Sequence, residues 1–225
     1  MTLISLVLSN PPTLKMETPL TYYIAVPGTW AARRSAEWSE DRSAFSKFMQ
    51  GHYCYNMSGK ASSPYYWSTD LDLSGGHQDW RAGGAALTYY IAPPLFPSHR
   101  YPPADTNLIV HSHGLQVALY ACAAGLQINC LVSVSSPVRE DMASIATRAR
   151  KNIGYWLHIH SDWSDRWQWF GTLLDGKFGI TREHPLADRN EEVEAAGHGG
   201  VLMDPNFFHL WYQRGWGGVL RKVYV

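Results

Sequence analysis

Asn107-Leu-Ile-Val-His-Ser-His-Gly-Leu-Gln-Val-Ala-Leu-Tyr120 decides the reading of this chain. An apolar run reaches a serine between two histidines. A glycine and an alanine-rich stretch with helical spacing follow. The pattern predicts a strand over 108–111, a tight turn with Ser112 at its apex, and a helix over 115–124 closed by Gly125. Such an elbow holds a serine hydroxyl exposed above a sheet, where a base can reach it.

Outward from this segment the chain alternates. Thr21-Tyr-Tyr-Ile-Ala-Val26 is rich in aromatic and β-branched residues and stops at Pro27-Gly28, a strand and then a turn. Phe45, Phe48 and Met49 have helical spacing, and Tyr65-Tyr-Trp67 is a short strand candidate. Trp80, Gly83, Leu87 and Tyr90-Ile91 recur at helical spacing. Five prolines over 93–103 make a connecting loop. Cys130-Leu-Val-Ser-Val134 reads as a buried strand, 139–150 as a helix, and Tyr155-Trp-Leu-His-Ile159 as the next strand. A short aromatic helix is expected over 165–174, a polar loop over 176–197, and a closing helix over 206–214.

Strands alternating with helices imply an α/β fold, with a mostly parallel central sheet and helices on both faces. At 225 residues one domain, 1–225, is expected, with minimal or no cap domain. Ligands of such sheets bind beyond the carboxyl ends of the strands. Gly28, Ser112 and the residues after Ile159 all fall at such ends.

Nineteen basic and nineteen acidic residues cancel, so the chain has no electrostatic footprint for nucleic acid. The opening Met1-Thr-Leu-Ile-Ser-Leu-Val-Leu8 lacks a basic region, and its apolar run is too short for a signal peptide or an integral membrane segment. A cytoplasmic location is the resulting expectation. Cys54, Cys122 and Cys130 have no metal-type spacing and read as buried thiols.

A serine hydroxyl is a poor nucleophile until a base takes its proton. The base is usually a histidine oriented by a carboxylate. His198 stands between glycines in a late loop that can turn sharply toward the sheet edge. Asp162 and Asp165 both follow the strand over 155–159. Asp165, deeper in the turn, is the better placed to reach an imidazole; Asp162, at the strand end, is the alternative acid. A developing oxyanion needs two backbone N–H groups. His113, after the nucleophile, supplies one, and the turn Gly28-Thr29-Trp30 is expected to supply the other, with Thr29 the candidate.

Val26-Pro-Gly-Thr-Trp30, residues 67–87, Ile109-Val-His-Ser-His-Gly114 with Val117-Ala-Leu-Tyr120, residues 131–137, and Gly197-His198 with Met203-Asp-Pro205 together resemble the α/β-hydrolase superfamily. They are most similar to its small bacterial and phage-type lipase/esterase-like members. The resemblance spans most of 20–210. It implies the chain order nucleophile, acid, base, which Ser112, Asp165 (or Asp162) and His198 supply. It further implies ester hydrolysis through an acyl-enzyme, with a small-molecule ester as partner and no cofactor or metal. The usual first glycine of the elbow is Val110 here.

Trp30, Trp163, Trp167 and Phe170 are candidate pocket residues, although the aromatic stripe after the acid also suits a helix packed on the sheet. Thioesterase or amidase chemistry would use the same triad. His158-Ile-His-Ser-Asp162 and His111-Ser-His113 carry H-x-H spacing that can suit zinc, but the ligand set is incomplete. A hydrolase fold kept only for binding is the remaining alternative.

Overall fold

The computed structural model describes residues 22–28, 76–92, 106–161, 182–194 and 213–214; side chains are described from residue 24 onward. Five strands form one all-parallel sheet in sequential order: β1 (Tyr22–Val26), β2 (Thr106–His111), β3 (Ile128–Val134), β4 (Ile153–Ser161) and β5 (Arg189–Val193). Among the described residues three helices fall between them: α1 (His77–Ile91), α2 (Gly114–Ala123) and α3 (Ala143–Arg150), the last entered through a 3-10 turn, Glu140–Met142. The chain is therefore of the α/β class, as its alternating pattern indicates.

A strand order that advances in one direction, with right-handed crossovers, sets successive helices on one face. The contacts agree: α2 packs between α1 and α3. The core on that face joins Ile24, Val26, Leu108, Val110, Leu131 and Trp156 from the strands to Trp80, Leu87, Leu115, Leu119 and Ile145 from the helices. The alternate strand residues, among them Ala25, Ile109, Val132, Leu157 and Ile159, face the other way and are equally buried. Strand residues of both faces are thus buried. This explains why β2 and β3 read as continuous apolar runs.

Helix α1 forms because Trp80, Gly83, Gly84, Leu87 and Ile91 recur on one buried stripe. Two adjacent glycines in a helix interior cost about 1 kcal/mol each relative to alanine. Their return is proximity. A Cβ on Gly84 would stand 2.8 Å from the Tyr120 Cβ and 2.9 Å from the backbone of α2 at Ala121 N and Val117 O. Helix α2 ends where Gly125 takes φ +110° and Leu126 N–H returns to Ala121 O at 3.1 Å.

The polar loop expected over 176–197 contains a strand instead. Residues 189–193, Arg-Asn-Glu-Glu-Val, pair with β4 at the end of the described sheet. Side chains there are half-buried or exposed apart from Val193, so an edge strand hides behind a loop-like composition. It is held by Asp188, which accepts from Trp156 N–H (2.7 Å) and from Arg150 (2.6 Å). Among the described residues no helix is long and apolar enough to cross a membrane.

Candidate active site

All five strands run the same way, so their carboxyl ends share one edge. Ser112 follows β2 directly and stands at φ +51°. A non-glycine residue in this left-handed region is uncommon and costs of order 1–3 kcal/mol unless its surroundings fix it. Those surroundings are visible. Ser112 N–H bonds to Val134 O on β3 at 3.2 Å, and Leu115 N–H turns back to Ser112 O at 3.2 Å, opening α2. Ser112 and His113 are half-buried, between a buried strand and a buried helix.

Two glycines make the elbow sterically possible. A Cβ on Gly114 would lie 2.3 Å from Val26 O and 2.9 Å from Pro27 O, so the first turn of α2 presses on the end of β1. A Cβ on Gly28 would lie 2.6 Å from the Ser112 Cβ and 3.1 Å from its Oγ. The turn after β1 therefore abuts the serine. Val110, standing where an elbow glycine is usual, is fully buried in the helix-side core and fits there. Ser112 also sits at the N-terminus of α2, where unpaired N–H groups and the helix dipole favour negative charge.

His113 is the N-cap residue of α2. Its ring packs on Trp80 at 5.3 Å. Arg139 covers Trp80 at 4.9 Å. Asp141 grips Arg139 (2.7 and 3.0 Å) and the Nε2–H of His77 (3.0 Å), while His77 Nδ1 meets the Tyr120 hydroxyl at 2.7 Å. Burial alone would raise the Asp141 carboxyl; bonds and charge from Arg139, then from His77, outweigh it and hold it at about 2. This set fastens α1 and the segment after β3 beside the residue that follows Ser112. The sequence reading missed it, since its members are scattered over 77–141 without a motif.

A serine–histidine contact lies deeper in the sheet. Ser133 O–H donates to His158 Nδ1 (2.7 Å) and its oxygen accepts from Trp156 Nε1–H (2.9 Å); His158 Nε2–H donates to Arg182 O (2.8 Å). Both residues are wholly buried within their strands. Burial, with His184 and His160 nearby, pushes His158 down to about 3. Each ring nitrogen already has a partner and no solvent reaches either group, so this pair braces the sheet and is not a catalytic dyad. The same two bonds leave His158 no lone pair for zinc, which removes the H-x-H reading at this position.

Of the residues named from sequence, the structure joins the elbow Ser112-His113 to Gly28. Thr29, Trp30, Asp162, Trp163, Asp165, Trp167, Phe170 and His198 lie outside the described residues. The ends of β4 and β5 lie on the side of β3 away from β1.

No family model and no curated protein matches the chain. Among solved structures it is similar to the crystal structure of esterase PE8, at 16% identity over 87% of this chain and 92% of that one, with a TM-score of 0.46. At that distance the functional reading rests on the elbow and not on the likeness.

Proposed function

We propose that this chain is a serine hydrolase cleaving carboxylic esters through an acyl-enzyme. The observation that carries the reading is Ser112: a half-exposed hydroxyl at φ +51°, between strand and helix, with Gly28 pressed against it. Ser112 Oγ attacks the carbonyl carbon. His198 takes its proton and returns it to the leaving alcohol, and Asp165, with Asp162 the alternative, orients the imidazole. The N–H groups of His113 and Thr29 hold the oxyanion. Water then attacks the acyl-enzyme by the reverse path and frees the acid. Trp30, Trp163, Trp167 and Phe170 supply the apolar walls. No cofactor or metal takes part. A thioester or amide substrate would be cleaved by the same groups.

p-Nitrophenyl esters from acetate to palmitate test this. Ser112→Ala is expected to abolish turnover and labelling by a fluorophosphonate, with chelators without effect. Asp165→Asn is expected to lower kcat by about 10³–10⁴, since the wrong imidazole tautomer results, and Asp162→Asn by less than about tenfold. Activity should fall as pH drops below about 6.5, where a histidine base protonates. Undiminished turnover by Ser112→Ala, or a rate flat to about pH 4, would overturn the assignment.

A further inference from the structure

We propose that Ser135 and His160 form a polar subsite beside Ser112 that receives a hydroxyl carried on the acyl chain, making hydroxyacyl esters the preferred substrate class. The inference rests on Ser112 as nucleophile and extends it to what that nucleophile is offered.

The sheet register brings the three residues into a row. His111, Val134 and Ile159 stand side by side as the last positions paired between β2 and β3 and between β3 and β4, while β4 itself runs on beside β5 to Ser161. One residue further stand Ser112, Ser135 and His160. The backbone follows this step: Ser112 N–H bonds to Val134 O, and Ser135 N–H to Ile159 O at 2.8 Å. Ser135 repeats the left-handed backbone of its neighbour, at φ +47°. With strands about 4.8 Å apart, Ser135 is one spacing from the nucleophile and His160 about two.

Both side chains carry an unmet polar atom. Ser135 is 0% exposed and His160 5% exposed. Neither the Ser135 Oγ nor the His160 Nδ1 has a hydrogen-bond partner. Each such atom costs about 1–3 kcal/mol when buried. The contrast within the same strands is direct. Two residues lower, Ser133 and His158 are joined and fully bonded, and the adjacent Ser136 Oγ donates to Val134 O. Among the described residues the other unmet side-chain atoms, Trp80 Nε1 and Gln116 Oε1, lie on helices; on the sheet they are those of this row, next to the candidate nucleophile, where an incoming group can complete them.

The chemistry of the pair selects that group. A serine hydroxyl donates and accepts; a neutral ring nitrogen without a proton only accepts. A hydroxyl donating to Nδ1 while accepting from Ser135 satisfies both atoms. A carbonyl satisfies one, and an alkyl chain neither. An acyl carbon bonded to Ser112 sets a hydroxyl on its third carbon within roughly one strand spacing, a reach that takes in Ser135.

The test compares kcat/KM for ethyl 3-hydroxybutyrate and ethyl butyrate in the wild type, Ser135→Ala, Ser135→Gly and His160→Phe. Glycine keeps the left-handed backbone open to residue 135, so a folding failure of the other variants does not decide the matter. Fluorophosphonate labelling of Ser112 is read alongside. The expected result is a wild-type preference for the hydroxy ester of at least about tenfold, falling toward one in the variants. A wild-type ratio near one overturns the subsite, as does a ratio that persists in Ser135→Gly. Wild-type protein that takes no label and turns over neither ester instead defeats the nucleophile reading, and the subsite with it.

Discussion

Ser112 keeps its unusual backbone because two glycines leave it no other place. The closest approach at Gly114 is to a backbone oxygen, which cannot swing aside. Gly114→Ala is therefore expected to destabilise the fold by about 1–3 kcal/mol, read as a lowered urea midpoint. At Gly28 the approach is to the serine itself. Gly28→Ala should act on chemistry more than on stability: a displacement of about 1 Å at the nucleophile costs on the order of a hundredfold in rate. Ester kcat/KM and the urea midpoint, measured on both variants, should separate the two effects. Equal loss of activity at equal loss of stability would contradict the assignment. In the sequence the first of these glycines marks a turn and the second opens a helix. Their tertiary duty is invisible there, because it arises only when segments some 86 positions apart meet.

At the level of elements, α1 and α2 are joined by absence of side chain. Gly84→Ala sets two magnitudes against each other. Alanine gains about 1 kcal/mol of helix propensity. Its Cβ, under 3 Å from Tyr120 Cβ and the α2 backbone, costs about 1–3 kcal/mol through overpacking. A net loss of up to about 2 kcal/mol is expected by chemical denaturation, and a gain would show that the helices can part cheaply. The elements legible from sequence were those with strong periods: β1, β2, α1, α2, β3 and β4 fall where apolar runs and helical stripes place them. Strand β5 was not legible. Arg189-Asn-Glu-Glu-Val193 has one apolar residue, and its pairing depends on the Asp188 clasp to β4 and Arg150. The elbow was readable because strand, turn and helix are contiguous. The Ser135–His160 row was not, because it is a product of register between strands.

For the molecule as a whole, buried histidines set the response to acid. Burial, followed for His158 by its histidine neighbours, depresses the folded-state pKa of His158 to about 3 and of His184 to about 4. Unfolded, both take a proton near 6.5. The unfolded chain thus binds more protons below that value. Stability is whole above about pH 6.5 and is lost as pH falls toward 4, with a slope of up to about 2.7 kcal/mol per pH unit for two protons. Asp141, held at about 2, adds its loss only below its ordinary range, from about 3.8 downward. Urea titrations at half-unit steps of pH test this; a flat profile between 6 and 4 would contradict the neutral, buried state of both rings.

The contact of Gly28 with Ser112 has a consequence in time. A parallel pairing such as β1 with β2 closes a loop of some 80 residues, and long loops of this kind are slow to form. Helix α2 and the pairing of β2 with β3 need only local chain, so circular dichroism should recover early on dilution from denaturant. Capacity to be labelled at Ser112 should return later, with the docking of β1. On the proposed reading, the site at Ser112 would then mature after α2 and the β2–β3 pairing, once β1 docks.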